Sequence, residues 1–166
     1  MFRIDRQTPD DDAAVEALLD RAFGPGRLEK TSYRFRQGVA AIPELSLVAR
    51  DGEAIVGTIR YWPALIGERL RGGVPVLLLG PLAVEPGRQG EGTGDALVRR
   101  SLRLARRAGH EVVFLVGDRG YYDRYGFEPA GKRGVVMPDE PKRLLVRELR
   151  LGALQGIRGV LCPWKG

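Results

Sequence analysis

Residues 74–108 commit the chain to a strand that feeds a helix through a glycine-rich turn. Val74 to Val84 is an apolar run of strand character, interrupted by Pro75, Gly80 and Pro81. Gln89-Gly90-Glu91-Gly92-Thr93-Gly94 follows, with glycine at alternate positions. The period then changes. From Gly92 to Ala108, Leu97, Ser101, Leu104, Ala105 and Ala108 fall on one helical face, with Arg99, Arg103, Arg106 and Arg107 mainly elsewhere. Gly109 closes that helix. Pro81 cannot donate to a ladder, so the strand is expected to be bulged or unpaired on one side there.

The flanking segments supply the remaining layers. Residues 2–6 alternate as a short strand does. Thr8-Pro9-Asp10-Asp11-Asp12 reads as a helix start with Thr8 as cap. Val15, Leu18, Leu19, Ala22 and Phe23 form its apolar face, and Gly24-Pro25-Gly26 ends it. A second helix is predicted over about Leu28 to Gln37. Strands from Leu45 to Arg50 and from Ala54 to Leu65 flank the hairpin turn Asp51-Gly52. Glu111 to Gly117 reads as a buried strand and Asp118 to Tyr125 as a short helix stopped by Gly126. Strand returns from Phe127 and again from Leu144 to Leu151. The resulting order is a mixed α/β sheet with helices on its faces.

Composition narrows the function classes. The chain of 166 residues is long enough for one domain and short for two, so 1–166 is expected to be a single domain. No run is long and apolar enough to span a bilayer. The N-terminus has no apolar export core, which predicts a cytoplasmic protein with no membrane partner. The lone Cys162 cannot form an internal disulfide. With His110 the only histidine, little remains to build a zinc site, and no metal is expected. The net charge of +6 is compatible with an anionic partner, but the arginines are interspersed with acids. No recognisable nucleic-acid motif accompanies them.

The glycine-rich turn carries the functional signal. Backbone N–H groups at a helix start, helped by the helix dipole, make a site for pyrophosphate. Arg88 can add a charged contact. A dinucleotide fingerprint requires glycine at position 95, where the chain has Asp95, and a Walker loop requires Gly-Lys-Ser/Thr, which is absent. A turn that needs glycine for geometry alone stays open on these residues.

Gln89-x-x-Gly92-x-Gly94, between Leu82-Ala83-Val84 and Ala96-Leu97-Val98, resembles the acetyl-CoA signature of the GNAT superfamily of N-acetyltransferases. Tyr121-Tyr122-Asp123-Arg124-Tyr125-Gly126-Phe127 is similar to that family's second signature, within a bacterial branch marked by Val116-Gly117-Asp118 followed by Tyr-Tyr. The resemblance implies a mixed, mostly antiparallel central sheet of about six to seven strands flanked by helices. It implies acetyl-CoA as co-substrate and a primary amine as acceptor. Leu82, Ala83 and Val84 would pair with the pantetheine arm. Arg88, Gln89, Gly90, Glu91, Gly92, Thr93 and Gly94 would hold the pyrophosphate, with Tyr121 and Tyr125 as walls of the coenzyme site or part of the core. Tyr122 would protonate the leaving sulfur, and the N–H of Leu82 or Ala83 would serve the thioester oxygen. Glu91 and Thr93 depart from the family's usual residues, and Glu91 places an anion near the pyrophosphate; both are tolerated where the side chains point away and the backbone does the binding.

No general base stands out. Glu85 is a candidate by position, whereas His110 and Cys162 lie away from the signatures. Residues from about Phe23 to Arg36, including Arg27, Tyr33 and Arg36, are expected to wall the acceptor site. Their arginines would suit an acceptor with a carboxylate or phosphate. A non-catalytic acyl-CoA-binding sensor is the competing reading, and a nucleic-acid module is the weakest. The sequence leaves open whether the chain forms a homodimer.

Overall fold

The computed structural model describes every residue except 68–70, 165 and 166. The strands are β1 (Arg3–Arg6), β2 (Leu47–Asp51), β3 (Ala54–Ile66), β4 (Val74–Val84), β5 (Val112–Val116), β6 (Glu128–Pro129), β7 (Val135–Val136), β8 (Leu144–Glu148) and β9 (Gly159–Pro163). The helices are α1 (Asp12–Phe23), α2 (Thr31–Arg34), α3 (Thr93–Arg107) and α4 (Arg119–Tyr122). The sheet runs β1-β2-β3-β4-β5-β8-β6, with β9 added to the far end of β3 and to β7. Pairing is antiparallel except between β4 and β5 and between β7 and β9.

Strand alternation sorts the side chains into two layers. Leu77, Leu79, Val113 and Leu115 meet Leu97, Val98, Leu102 and Ala105 of α3 on one face. Leu78, Phe114 and Val146 face the other way and pack with Ala153, Leu154 and Leu161 from the C-terminal segment. α1 sets Val15, Leu18 and Leu19 against Val48, Ile55 and Ala83. The apolar face of α3 is rotated from the expected one: Val98 and Leu102 are buried, whereas Ala108 is exposed. Ser101 is buried on that face because its hydroxyl bonds the Tyr61 hydroxyl at 2.7 Å.

Three local readings are corrected. The helix expected over 28–37 is a 3-10 turn at Pro25–Glu29 followed by the four residues of α2. Arg27 fixes that irregular path: it is buried, and Asp20 and Glu16 of α1 accept from its guanidinium at 2.8 and 2.6 Å. Phe23 leaves the α1 core face and stays exposed. The last predicted strand stops at Glu148, and β9, which the sequence reading omits, covers the end of β3.

β4 has the irregularity that Pro81 predicts. Ile59 pairs with Leu82 and Tyr61 with Leu79, so Gly80 and Pro81 together oppose Arg60 in a bulge. The Trp62 indole N–H donates to the Gly80 carbonyl at 2.6 Å. On its other edge β4 pairs with β5 only at Leu77 and Leu78. Beyond them the two strands part, and the gap opens toward the glycine-rich turn.

Candidate active site

Two cavities meet in the gap between β4 and β5. One, of about 550 Å³, is lined by Leu82, Val84, Arg88, Gln89, Gly90, Gly92, Thr93, Gly94, Tyr121, Tyr122 and Tyr125, with Asp95 and Arg124. The other, of about 230 Å³, lies under the segment from Phe23 to Arg36 and is closed by Gly80, Pro81, Leu82, Gly117 and Asp118. Leu82 and Tyr122 border both.

The first cavity is built for an anion at its turn end. The first helical bond runs from Ala96 N–H to Gly92 O, so the amides of Thr93, Gly94 and Asp95 have no partner within the helix. Gly90 and Gly92 hold φ of 88° and 83°, which favours glycine there. A Cβ on Gly94 would stand 3.0 Å from the Tyr121 hydroxyl, so the close approach there requires glycine.

Ladder alternation identifies the free amides of β4. Glu85 N–H donates to Val56 O at 2.8 Å, which makes Ala83 and Thr58 the next hydrogen-bonded pair. Leu82 and Val84 therefore direct their N–H groups to the unpaired edge. Ala83 does not: its N–H turns to β3 and its side chain is buried beneath α1. Of the two amides considered for the thioester oxygen, the register selects Leu82.

The tyrosine cluster separates by hydrogen bonding. The Tyr125 hydroxyl donates to Asp95 at 3.1 Å and lies 3.4 Å from the Tyr121 hydroxyl. Tyr122 packs edge-on to Tyr121 and Phe127, with centroids at 4.9 and 5.8 Å, and its hydroxyl has no partner among the described residues. Burial, reinforced by Tyr121, pushes its pKa well above the ordinary phenol value, so it stays protonated at neutral pH. Gly117 makes room for that ring: a Cβ there would stand 2.9 Å from Tyr122 Cε2.

The remaining expected residues divide. Glu91 lies outside the cavity lining and pairs with Arg88 at 3.1 Å, while Asp51 holds the same guanidinium at 2.7 Å. The anion near the turn is thus neutralised by its neighbour. Arg124, which the sequence reading quotes but does not assign, lines the cavity and lies 5.0 Å over the Tyr121 ring without a carboxylate partner. Its signal is its place in the second signature, three residues from Tyr121. Tyr121 lines the cavity beside Tyr125, and so does Asp95, to which the sequence alone gives no role. Glu85 is withdrawn as a base, because Arg21 chelates its carboxylate at 2.9 and 2.7 Å. His110 and Cys162 line neither cavity. Arg27, Tyr33 and Arg36 line the second cavity together.

Known proteins share this fold. A family model described as an acetyltransferase (GNAT) domain matches residues 3–130. Two Escherichia coli K12 relatives carry the names uncharacterized N-acetyltransferase YjhQ and YhbS. YjhQ is 35% identical over 77% of this chain and 71% of its own. YhbS is 29% identical over 93% and 92%. The crystal structure of YhbS in complex with CoA superposes with a TM-score of 0.82 at 27% identity, covering 96% of this chain and 88% of that one. A GNAT family acetyltransferase from Brucella melitensis in complex with acetyl-CoA gives 0.74 at 26%, covering 99% and 96%. Fold and relatives together define an N-acetyltransferase. The chain belongs to the GNAT acetyltransferase family.

Proposed function

We propose that residues 1–166 form one cytoplasmic transferase domain that moves the acetyl group of acetyl-CoA directly to a primary amine of a small molecule or protein. The carrying observation is that Leu82 and Tyr122 border both cavities, so one point serves coenzyme and acceptor alike. The glycine-rich turn and the free helix-start amides of Thr93, Gly94 and Asp95 suit the pyrophosphate, with Arg88 and Arg124 beside them. The outward amides of Leu82 and Val84 suit the pantetheine arm, as an added strand would be held.

The chemistry follows from these positions. The unprotonated amine nitrogen attacks the thioester carbonyl carbon, and the C–N bond forms as electron density moves onto oxygen. The Leu82 N–H stabilises that oxygen. As the tetrahedral species collapses, the C–S bond breaks and the Tyr122 hydroxyl gives its proton to the departing sulfur. The nitrogen loses its surplus proton to water, and Tyr122 recovers one from the same source. Holding both reactants at one point supplies much of the rate.

Tyr122→Phe tests this reading. Loss of a general acid is expected to lower kcat about 10²-fold or more, with acetyl-CoA affinity within about twofold by calorimetry. A wild-type protein that binds acetyl-CoA but turns over no amine would favour the sensor. Unchanged kcat in Tyr122→Phe would remove the phenol from the mechanism.

A further inference from the structure

The smaller cavity carries an unbalanced charge. Arg27, Lys30, Arg36 and Arg143 line it against a single acid, Asp118. Arg27 is not available, since Glu16 and Asp20 already bond it. Arg36 is different. Its guanidinium lies 4.0 Å over the Tyr33 ring and 5.4 Å over Trp62, with Nε sealed from solvent and lacking any hydrogen-bond partner. Among the described residues no carboxylate pairs with Arg36, Lys30 or Arg143. Arg27 and Arg50, the comparable inward arginines, are each bonded by two carboxylates.

A sheltered cation without a counter-ion is costly, and aromatic faces repay only part of that cost. Burial draws the Arg36 pKa down to about 10, so the group is still charged at neutral pH. Arg36 is therefore short of one anion, and its planar fork suits a carboxylate or a phosphate. The cavity volume of about 230 Å³ falls below the range of drug-sized pockets, which favours a small occupant. Tyr122 and Leu82 belong to the same lining, so an occupant anchored at Arg36 has its other end at the transfer point.

We propose that the acceptor is a small amine carrying its own carboxylate or phosphate, and that Arg36 binds this anion. The proposal rests on the transferase reading above and narrows its acceptor. Matched pairs test it: α-amino acids against their carboxamides, and aminoalkyl phosphates against the parent amino alcohols. Coenzyme A release is followed for the wild type, Arg36→Gln and Arg36→Lys. For at least one pair, kcat/KM is expected to be at least tenfold higher for the anionic member. Arg36→Gln should reduce that ratio at least tenfold, through KM, and Arg36→Lys should restore part of it. The pair that discriminates tells carboxylate from phosphate. Equal or better turnover of neutral or polycationic amines overturns the inference and leaves the transferase intact, as does a ratio that survives Arg36→Gln. If no pair turns over and neutral, polycationic and protein amines are not acetylated either, the transferase reading fails instead. The same pairs are then titrated by NMR into coenzyme A-loaded protein. Preferential binding of the anionic members that is lost in Arg36→Gln supports the anion site, and its absence overturns it.

Discussion

Gly117→Ala isolates the position of Tyr122 from its chemistry. The backbone at Gly117 has no positive φ, so alanine is tolerated locally, but its methyl would stand 2.9 Å from Tyr122 Cε2 and 3.0 Å from Leu115 Cδ1. Carbon atoms pack at about 3.5–4.0 Å, so the ring must retreat by roughly 0.6–1 Å. Misplacing a catalytic group by about 1 Å costs about 10²-fold in rate, equivalent to about 2.7 kcal/mol. Steady-state coenzyme A release should show kcat reduced about 10- to 100-fold, while calorimetry shows acetyl-CoA affinity within about threefold. Overpacking should lower stability by about 1–3 kcal/mol, read as a modest fall in Tm. The decisive arm is the double variant. In a Tyr122→Phe background the ring has no proton to deliver, so adding Gly117→Ala should cost less than about threefold. Additive losses would refute the claim that Gly117 acts through the Tyr122 hydroxyl, and so would a wild-type rate in Gly117→Ala alone.

Further outcomes follow from the same geometry. Gly94→Val should weaken acetyl-CoA binding at least about tenfold (about 1.4 kcal/mol) with a modest fall in Tm, because its side chain would crowd Val84 and the Tyr121 hydroxyl; equal affinity by calorimetry would contradict the cradle. Activity should climb with pH as the acceptor amine loses its proton. Tyr122, raised by burial, should impose no falling limb below about pH 10. A falling limb near pH 8 that vanishes in Tyr122→Phe would show the phenol ionising earlier than its surroundings allow. Arg50 donates to both carboxylate oxygens of buried Asp11 and holds its pKa at about 2, against 3.8 for the free group. A depressed carboxylate pKa stabilises the fold above the unfolded value, and that contribution is lost as pH falls through the folded one. Asp11→Asn should cost about 1–2 kcal/mol at neutral pH, with the gap from wild type closing between about pH 4 and 2 in denaturant titrations.

What the sequence makes legible is what local chemistry writes. Asp51-Gly52 announces the β2–β3 hairpin, Pro81 the bulge, and the alternating glycines the turn into the unpaired amides at the start of α3. Each is a backbone property of one or a few residues. The rest depends on partners remote in sequence. The path at Pro25–Glu29 follows from ion pairs between Arg27 and α1, and no periodicity encodes it. β9 is short and exists through its pairing with β3 and β7. The loss of Glu85 as a base required sight of Arg21, 64 residues earlier. The choice of Leu82 over Ala83 needed the ladder register rather than residue identity, since either amide is chemically equivalent. Arg36 is legible as a candidate wall residue, but the absence of a carboxylate partner for it among the described residues is a fact of the fold alone.

The central claim is that coenzyme and acceptor meet at Leu82 and Tyr122. A crystal structure of the protein with acetyl-CoA measures it most directly. The account predicts the pyrophosphate on the amides of Gln89–Asp95, the thioester oxygen within hydrogen-bond reach of the Leu82 N–H, and the sulfur facing the Tyr122 hydroxyl. A bound coenzyme whose thioester lies outside the gap between β4 and β5, or whose sulfur faces Tyr121 or Tyr125 instead, would contradict it.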